Sequence, residues 1–208
     1  LDITAIRRRQ ITDAAFKVFS EKGYNSTTVA DIASELELGH STVYRYFDNK
    51  LDIASSVIDD LIARAADAFT LEPPDKISTA EEYREALAHI ATRLFDLIEE
   101  DPELIRFLLF DGLLIDETIT KKINDAFLLF ASITEGYLKN GIKRGFLRPD
   151  IHTYETSCAI NGMVIEAIRQ LLGLPAITEE AKAAWADTVI GLILGLQIRQ
   201  RGRKEASR

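Results

Sequence analysis

The chain reads as all-α, and three observations predict it. Apolar residues recur at helical spacing over most of the 208 residues, strand-like alternation is almost absent, and only five prolines and eleven glycines interrupt the pattern. A hydrophobic content of 47% with 28% charged residues describes a globular chain able to bury one large core or two modest ones. About nine helices are expected, arranged as an N-terminal three-helix domain built on a helix-turn-helix and a C-terminal helical domain. The domains are placed at residues 1–50 and 51–208.

Helix one is expected over residues 4–22, with Ile11, Ala14, Ala15, Val18 and Phe19 as its buried stripe and Gly23 as its stop. Arg7, Arg8 and Arg9 precede that stripe. They suit either a solvated helix end or an arm on phosphate or in the minor groove, and phosphate contact is the favoured reading.

Residues 27–50 then read as two short helices joined by a tight turn. In the first, Val29, Ile32, Ala33 and Leu36 share a face, and Thr28 with Asp31 forms a capping box with Asp in place of Glu or Gln. After the turn at Glu37 to Gly39, Val43 and Phe47 lie on one face of a helix of about seven residues, with His40, Ser41, Tyr44 and Arg45 on the other. A face carrying an imidazole, a hydroxyl, a phenol and a guanidinium suits base edges and phosphates in a major groove. The plain alternative is a solvated helix between two core helices, since this geometry recurs in proteins that never touch DNA.

The flanking residues separate the two. Arg9, Ile11, Ala14, Ala15, Phe19 and Gly23-Tyr24, then Thr27-Thr28-Val29 with Ile32-Ala33, then residues 42–47 (TVYRYF) with Lys50 and Leu51, fall at matching offsets. Over residues 9–53 the chain resembles the DNA-binding domain of the tetracycline-repressor-like (TetR) family of bacterial regulators. The resemblance implies that Thr28, Thr42, Tyr44, Tyr46 and Lys50 contact phosphate or groove, with His40, Ser41 and Arg45 reading bases. Arg45 is the candidate for a bidentate contact to guanine, worth about 1–3 kcal/mol of discrimination. Lys50, opening helix four, would act as a point charge on phosphate. Two positions depart from the family pattern: Glu37 stands where a Gly is usual in the turn, which strains a positive φ, and Gly39 stands where a capping Ser is usual.

Helix four is expected over residues 49–69, with Ala54, Val57, Ile58, Leu61, Ile62 and Ala65 along one side, ending at Pro73-Pro74. Helix five, over residues 79–100, carries Ala80, Leu87, Ile90, Ala91, Leu94, Phe95 and Ile98 inward and Glu81 and Glu82 in its first turn. A short helix from Pro102 to about Phe110 ends at Gly112, and a long one runs over residues 117–144. Phe69, Phe95, Phe107, Phe110, Phe127, Phe130 and Tyr137 come from four of these helices. They form either an ordinary aromatic core or the wall of a ligand cavity, with His89, Arg93 and Arg106 as candidate polar groups. The family resemblance implies a small-molecule effector here, and an apolar cavity would take a hydrophobic or amphipathic one.

The last two helices, over residues 151–172 and 179–201, are apolar around too much of their circumference for one-sided burial. Ala159, Gly162, Ala167 and Gly173 on one, and Gly191 and Gly195 on the other, permit close helix approach. With the resemblance they read as a homodimer interface, so that two heads meet two half-sites of a near-palindromic DNA operator. The tail, residues 199–208, carries five basic residues and one acid and is expected to be disordered.

Residues 1–50 hold seven Lys or Arg and seven Asp or Glu, so the net charge of −8 falls on residues 51–208. A near-neutral, locally basic head on an acidic body suits docking through a small patch and argues against a sequence-blind coating protein. Cys158 is the only cysteine, which excludes an intrachain disulfide and a Cys-rich metal site and points to the cytoplasm. The longest apolar run, residues 189–196, is far below the roughly 20 residues that span a bilayer, and the opening residues lack a signal-peptide pattern. The nucleophile, metalloprotease and phosphate-loop motifs are missing, His40, His89 and His152 fall in unrelated segments, and no cofactor, metal or catalytic residue is expected. A ligand-switched repressor is the reading, with corepressor dependence, activation, or a helical interaction module as alternatives.

Overall fold

The computed structural model describes residues 2–100, 102–111 and 116–197. Nine α-helices lie among them: α1 (Ile3–Lys22), α2 (Val29–Glu35), α3 (His40–Val43), α4 (Lys50–Thr70), α5 (Ala80–Glu100), α6 (Pro102–Arg106), α7 (Glu117–Arg144), α8 (Thr153–Leu172) and α9 (Glu179–Gln197). A 3-10 turn covers Pro74–Lys76, and a π-turn, Phe107–Asp111, continues α6. The expected stop at Gly112, the end of the last helix and the basic tail from Arg199 lie outside the described residues.

Side chains start most of these helices. Asp2 accepts from the Thr4 amide at 2.9 Å, Asn49 from Asp52 at 2.9 Å, Thr79 from Glu82 at 3.1 Å and Thr178 from Ala181 at 3.2 Å. Each satisfies a donor that the first turn leaves without an intrahelical partner. At the other end of α1, Gly23 takes φ 78° and donates its amide to the Phe19 carbonyl at 2.8 Å.

The chain divides into two compact units, and no single cut separates them. Unit one is Leu1–Ala65 with Asp101–Asp125; unit two is Ala66–Glu100 with Ala126–Arg208. In unit one, Ile11, Ala15, Phe19, Ile32, Val43, Phe47, Ile53 and Ile58 are buried, and Phe107 stacks on Phe19 with ring centroids 5.9 Å apart. Unit two buries Tyr83, Ala86, Ile90, Tyr137, Leu138, Leu147, Ile160, Ile190 and Ile193 in one cluster. Tyr83 and Ala86, absent from the expected stripe of α5, face that cluster, whereas Leu87, Ala91 and Leu94 are only partly buried. In the same unit, the buried Lys182 pairs with Glu99 at 2.6 Å and with Glu179, fixing the start of α9 to the end of α5.

Candidate nucleic-acid interface and effector region

Thr28 caps α2 as the sequence pattern predicts. Its hydroxyl accepts from the Asp31 amide at 3.2 Å, and the Asp31 carboxylate accepts from the Thr28 amide at 2.8 Å and from its hydroxyl at 2.6 Å. Lys22, 2.7 Å away, together with Thr28 holds the Asp31 carboxyl far below the usual carboxylate range. Thr28 is exposed at the head of this helix.

The turn that follows carries Glu37 at φ 53°, the positive value foreseen for a position where glycine is usual. It closes with the Leu38 amide on the Ala33 carbonyl at 2.9 Å. Gly39 then starts α3 with no side-chain cap.

Regular helix lasts only from His40 to Val43, shorter than the expected seven residues, and residues 44–46 continue as a turn. The polarity is nevertheless as the spacing requires. Val43 and Phe47 are buried, His40, Ser41, Tyr44 and Arg45 are exposed, and Thr42 and Tyr46 are half-buried. The His40 and Tyr44 rings meet edge to face at 4.9 Å, so these two side chains present one polar ridge. Among the described residues the Arg45 guanidinium has no hydrogen bond or ion pair, which leaves its planar fork available to an outside acceptor.

Two basic side chains have partners within the chain. Lys50, expected on phosphate, donates to the Tyr24 carbonyl at 2.7 Å and the Thr27 carbonyl at 2.8 Å, with its ammonium 4.2 Å from the centre of the Tyr24 ring. Burial lowers its pKa. The arginine triplet is split. Arg8 turns inward to the Tyr46 carbonyl and, at 3.3 Å, to the Ser56 hydroxyl, while its guanidinium lies 4.1 Å over the Phe47 ring. Arg9 reaches Asp60 at 3.9 Å on the surface.

The nine residues considered for an effector cavity are dispersed. Arg106, Phe107 and Phe110 belong to unit one, where Phe107 is buried, Phe110 is exposed and Arg106 reaches Glu103 at 3.6 Å. His89, Arg93, Phe95, Phe127, Phe130 and Tyr137 belong to unit two. There Phe69 lies 6.1 Å from Phe130 and 6.4 Å from Tyr137, ring to ring. Arg93 donates to the Ala68 carbonyl at 2.8 Å, and the Tyr137 hydroxyl to the carbonyls of Glu72 and, at 3.3 Å, Phe69. These two side chains therefore hold the last carbonyls of α4 and the bend beyond it. Burial, with Glu72 nearby, pushes the Tyr137 phenol up to about 12. His89, largely exposed, meets the same Glu72 at 2.9 Å.

Unit two holds an apolar cavity of about 80 Å³ between α5, α8 and α9, lined by Leu87, Leu94, Phe95, Val164, Trp185 and Ile190 among others. Phe95 alone of the nine lines it. The wall is mostly aliphatic, and its α5 members are residues that the sequence shows only as a helix face.

On the outside of α8 and α9, Cys158, Ala159, Gly162, Gly191, Leu192 and Gly195 are exposed. A side-chain carbon at Gly162, Gly191 or Gly195 would meet nothing within 4 Å. The described residues contain no group of three or more His, Cys, Asp or Glu able to hold a metal ion, and none of their helices is long and apolar enough to cross a membrane.

Residues 11–57 match the family model of bacterial regulatory proteins, tetR family. The fatty acid metabolism regulator protein of Bacillus subtilis (strain 168) is 26% identical over 159 residues, covering 76% of this chain and 80% of that protein. The HTH-type transcriptional regulator HbdR of Aromatoleum sp. (strain CIB) is 36% identical over 83 residues, 40% of this chain and 34% of that one. Among solved structures, the transcriptional regulator FadR from Bacillus subtilis in complex with stearoyl-CoA superposes with a TM-score of 0.76 at 25% identity, over 89% of this chain and 97% of that chain.

Proposed function

The chain belongs to the TetR family of bacterial regulatory proteins, and from that premise we propose that it is a ligand-switched transcriptional repressor acting in the cytoplasm as a homodimer. The observation that carries the reading is the exposed polar ridge of His40, Ser41, Tyr44 and Arg45, held up by the buried Val43 and Phe47 within the matched segment. Arg45 is the bidentate reader of guanine, with His40 and Ser41 on neighbouring base edges. Thr28, Thr42, Tyr44 and Tyr46 grip the backbone and set the register.

Two heads are needed for useful affinity and specificity. The glycine-bearing outer faces of α8 and α9 pack against their symmetry mates, and the operator is a near-palindrome whose half-sites lie one helical turn or a multiple apart. The effector is a molecule with a long apolar part and a polar head, of the class of a long-chain acyl thioester. The aliphatic lining between α5, α8 and α9 supports that class, as does the likeness to a regulator crystallised with stearoyl-CoA. At about 80 Å³ the cavity is well below the roughly 300–1,000 Å³ of ligand sites, so entry parts these helices. Displacement then reaches the end of α4 held by Arg93 and Tyr137, and α4 carries it to the residue that opens it, Lys50. A coupling of about 1–3 kcal/mol changes operator affinity about 5 to 150-fold.

Selection of DNA from random fragments at moderate salt tests the reading. Enrichment of a near-palindrome, weakened by long-chain acyl thioesters, is expected. Enrichment that appears only when such a ligand is added reverses the sign of the switch. No enrichment under either condition removes the DNA-binding function.

A further inference from the structure

We propose that Arg8 and Lys50 are positioning residues that hold the recognition helix in place from within the head, and that neither contacts phosphate. The inference rests on the DNA-binding reading of α3. The regular part of α3 is one turn long; the amides of Arg45, Tyr46 and Phe47 fold back onto the Thr42 and Val43 carbonyls, and the Tyr46 carbonyl beyond them needs a donor from elsewhere. Arg8 meets that need. Its guanidinium donates to the Tyr46 carbonyl just beyond the helix, covers the Phe47 ring, and reaches Ser56 of α4. One side chain of α1 thereby ties the end of the recognition segment to two longer helices, and it places positive charge where the helix dipole is negative.

Lys50 does the same for the other side of the head. As the first residue of α4 it bonds to the carbonyls of Tyr24 and Thr27, both in the connection between α1 and α2. That connection is closed from below by the buried Thr27, whose hydroxyl donates to the Gly23 carbonyl at 2.8 Å. Two carbonyls and the Tyr24 ring occupy the three N–H directions of the ammonium, so a phosphate could be reached only by giving up the connection. A fixed brace and a phosphate contact make opposite demands on these two cations.

The test compares wild type with Arg8→Lys, Arg8→Met, Lys50→Arg and Lys50→Met in two assays: thermal unfolding without DNA, and operator affinity across a salt series. Bracing predicts that all four lower the DNA-free midpoint, and that the charge-conserving pair fails to restore operator affinity because a planar fork and a compact ammonium cannot exchange places here. The slope of log affinity against log salt should be unchanged, since no phosphate contact is lost. A variant too unstable to fold supports bracing for the same reason that a lowered midpoint does. A slope shallower by about 0.9 in a Met variant, the loss expected for one phosphate, or an unmoved DNA-free midpoint, overturns the assignment for that residue. Failure of wild type to bind any operator would remove the function proposed for α3 while the DNA-free midpoints still decide the bracing.

Discussion

The glycines of α9 allow a test in which the sign of the result identifies the partner. In the isolated chain a methyl group at Gly191 or Gly195 meets nothing within 4 Å. If the face stays open, Gly191→Ala with Gly195→Ala removes two helix-destabilising residues, each worth about 0.8–1.0 kcal/mol. The double variant would then gain close to 2 kcal/mol, a rise of about 4–8 °C in Tm for a chain of this size. If a second copy packs there, two-fold symmetry introduces each methyl twice into a close helix contact, and overpacking of about 1–3 kcal/mol per site opposes the gain. Dimerisation through α8 and α9 therefore predicts a weaker dimer in sedimentation velocity and a Tm that fails to rise at low protein concentration. A variant with a higher Tm and an unchanged dimer constant would refute the assignment of this face.

Other expectations concern single sites. Gly141→Ala and Gly136→Ala, on the same helix, should act in opposite directions in denaturant unfolding. The first places a carbon 2.5 Å from the buried Leu147 side chain and should lose about 1–3 kcal/mol, while the second meets nothing within 4 Å and should gain up to about 1 kcal/mol. Arg45→Ala should lower operator affinity by about 1–3 kcal/mol and relax selection at one base pair of each half-site, read by competition with single-base operator variants. Glu37→Gly should raise thermal stability slightly, by about 1 kcal/mol or less, because it relieves a left-handed backbone at φ 53° against a greater loss of chain entropy. The depressed carboxyl of Asp31 contributes stability that is full above its unfolded value near 4 and is lost as pH falls through the lower folded value. Acid titration followed by unfolding should show that loss in wild type and a smaller one in Asp31→Asn.

Legibility in the sequence followed the range of the interactions. The bounds of α7, the Thr28–Asp31 capping box and the opposed faces of α3 depend on residues at most four apart, and all three were readable. The partners of Lys50 lie 23 and 26 residues away and those of Arg8 lie 38 and 48 away, so both cations read as free to meet phosphate. Residues 101–125 could not be assigned to the first unit from periodicity, which shows that a face is apolar but not what covers it. The apolar cavity in unit two has a mostly aliphatic wall contributed by three helices, and periodicity marks Leu87 and Leu94 only as core-facing residues of α5.

The division of the chain bears on any attempt to graft this reading head onto another sensor. Chain passes between the units at residues 65–66, 100–101 and 125–126, the first and the last of these inside unbroken helices, α4 and α7. A chimera joined once, just after residue 50, would leave behind the α4 side chains Ile53, Ala54 and Ile58 that are buried in unit one, together with Phe107, the stacking partner of Phe19. Such a graft would expose apolar surface at the seam and aggregate. A workable exchange has to carry two segments through three junctions, one after α5 and two in phase with the helical repeat of α4 and α7, which makes the pair of through-helices the grammar that any recombined regulator must respect.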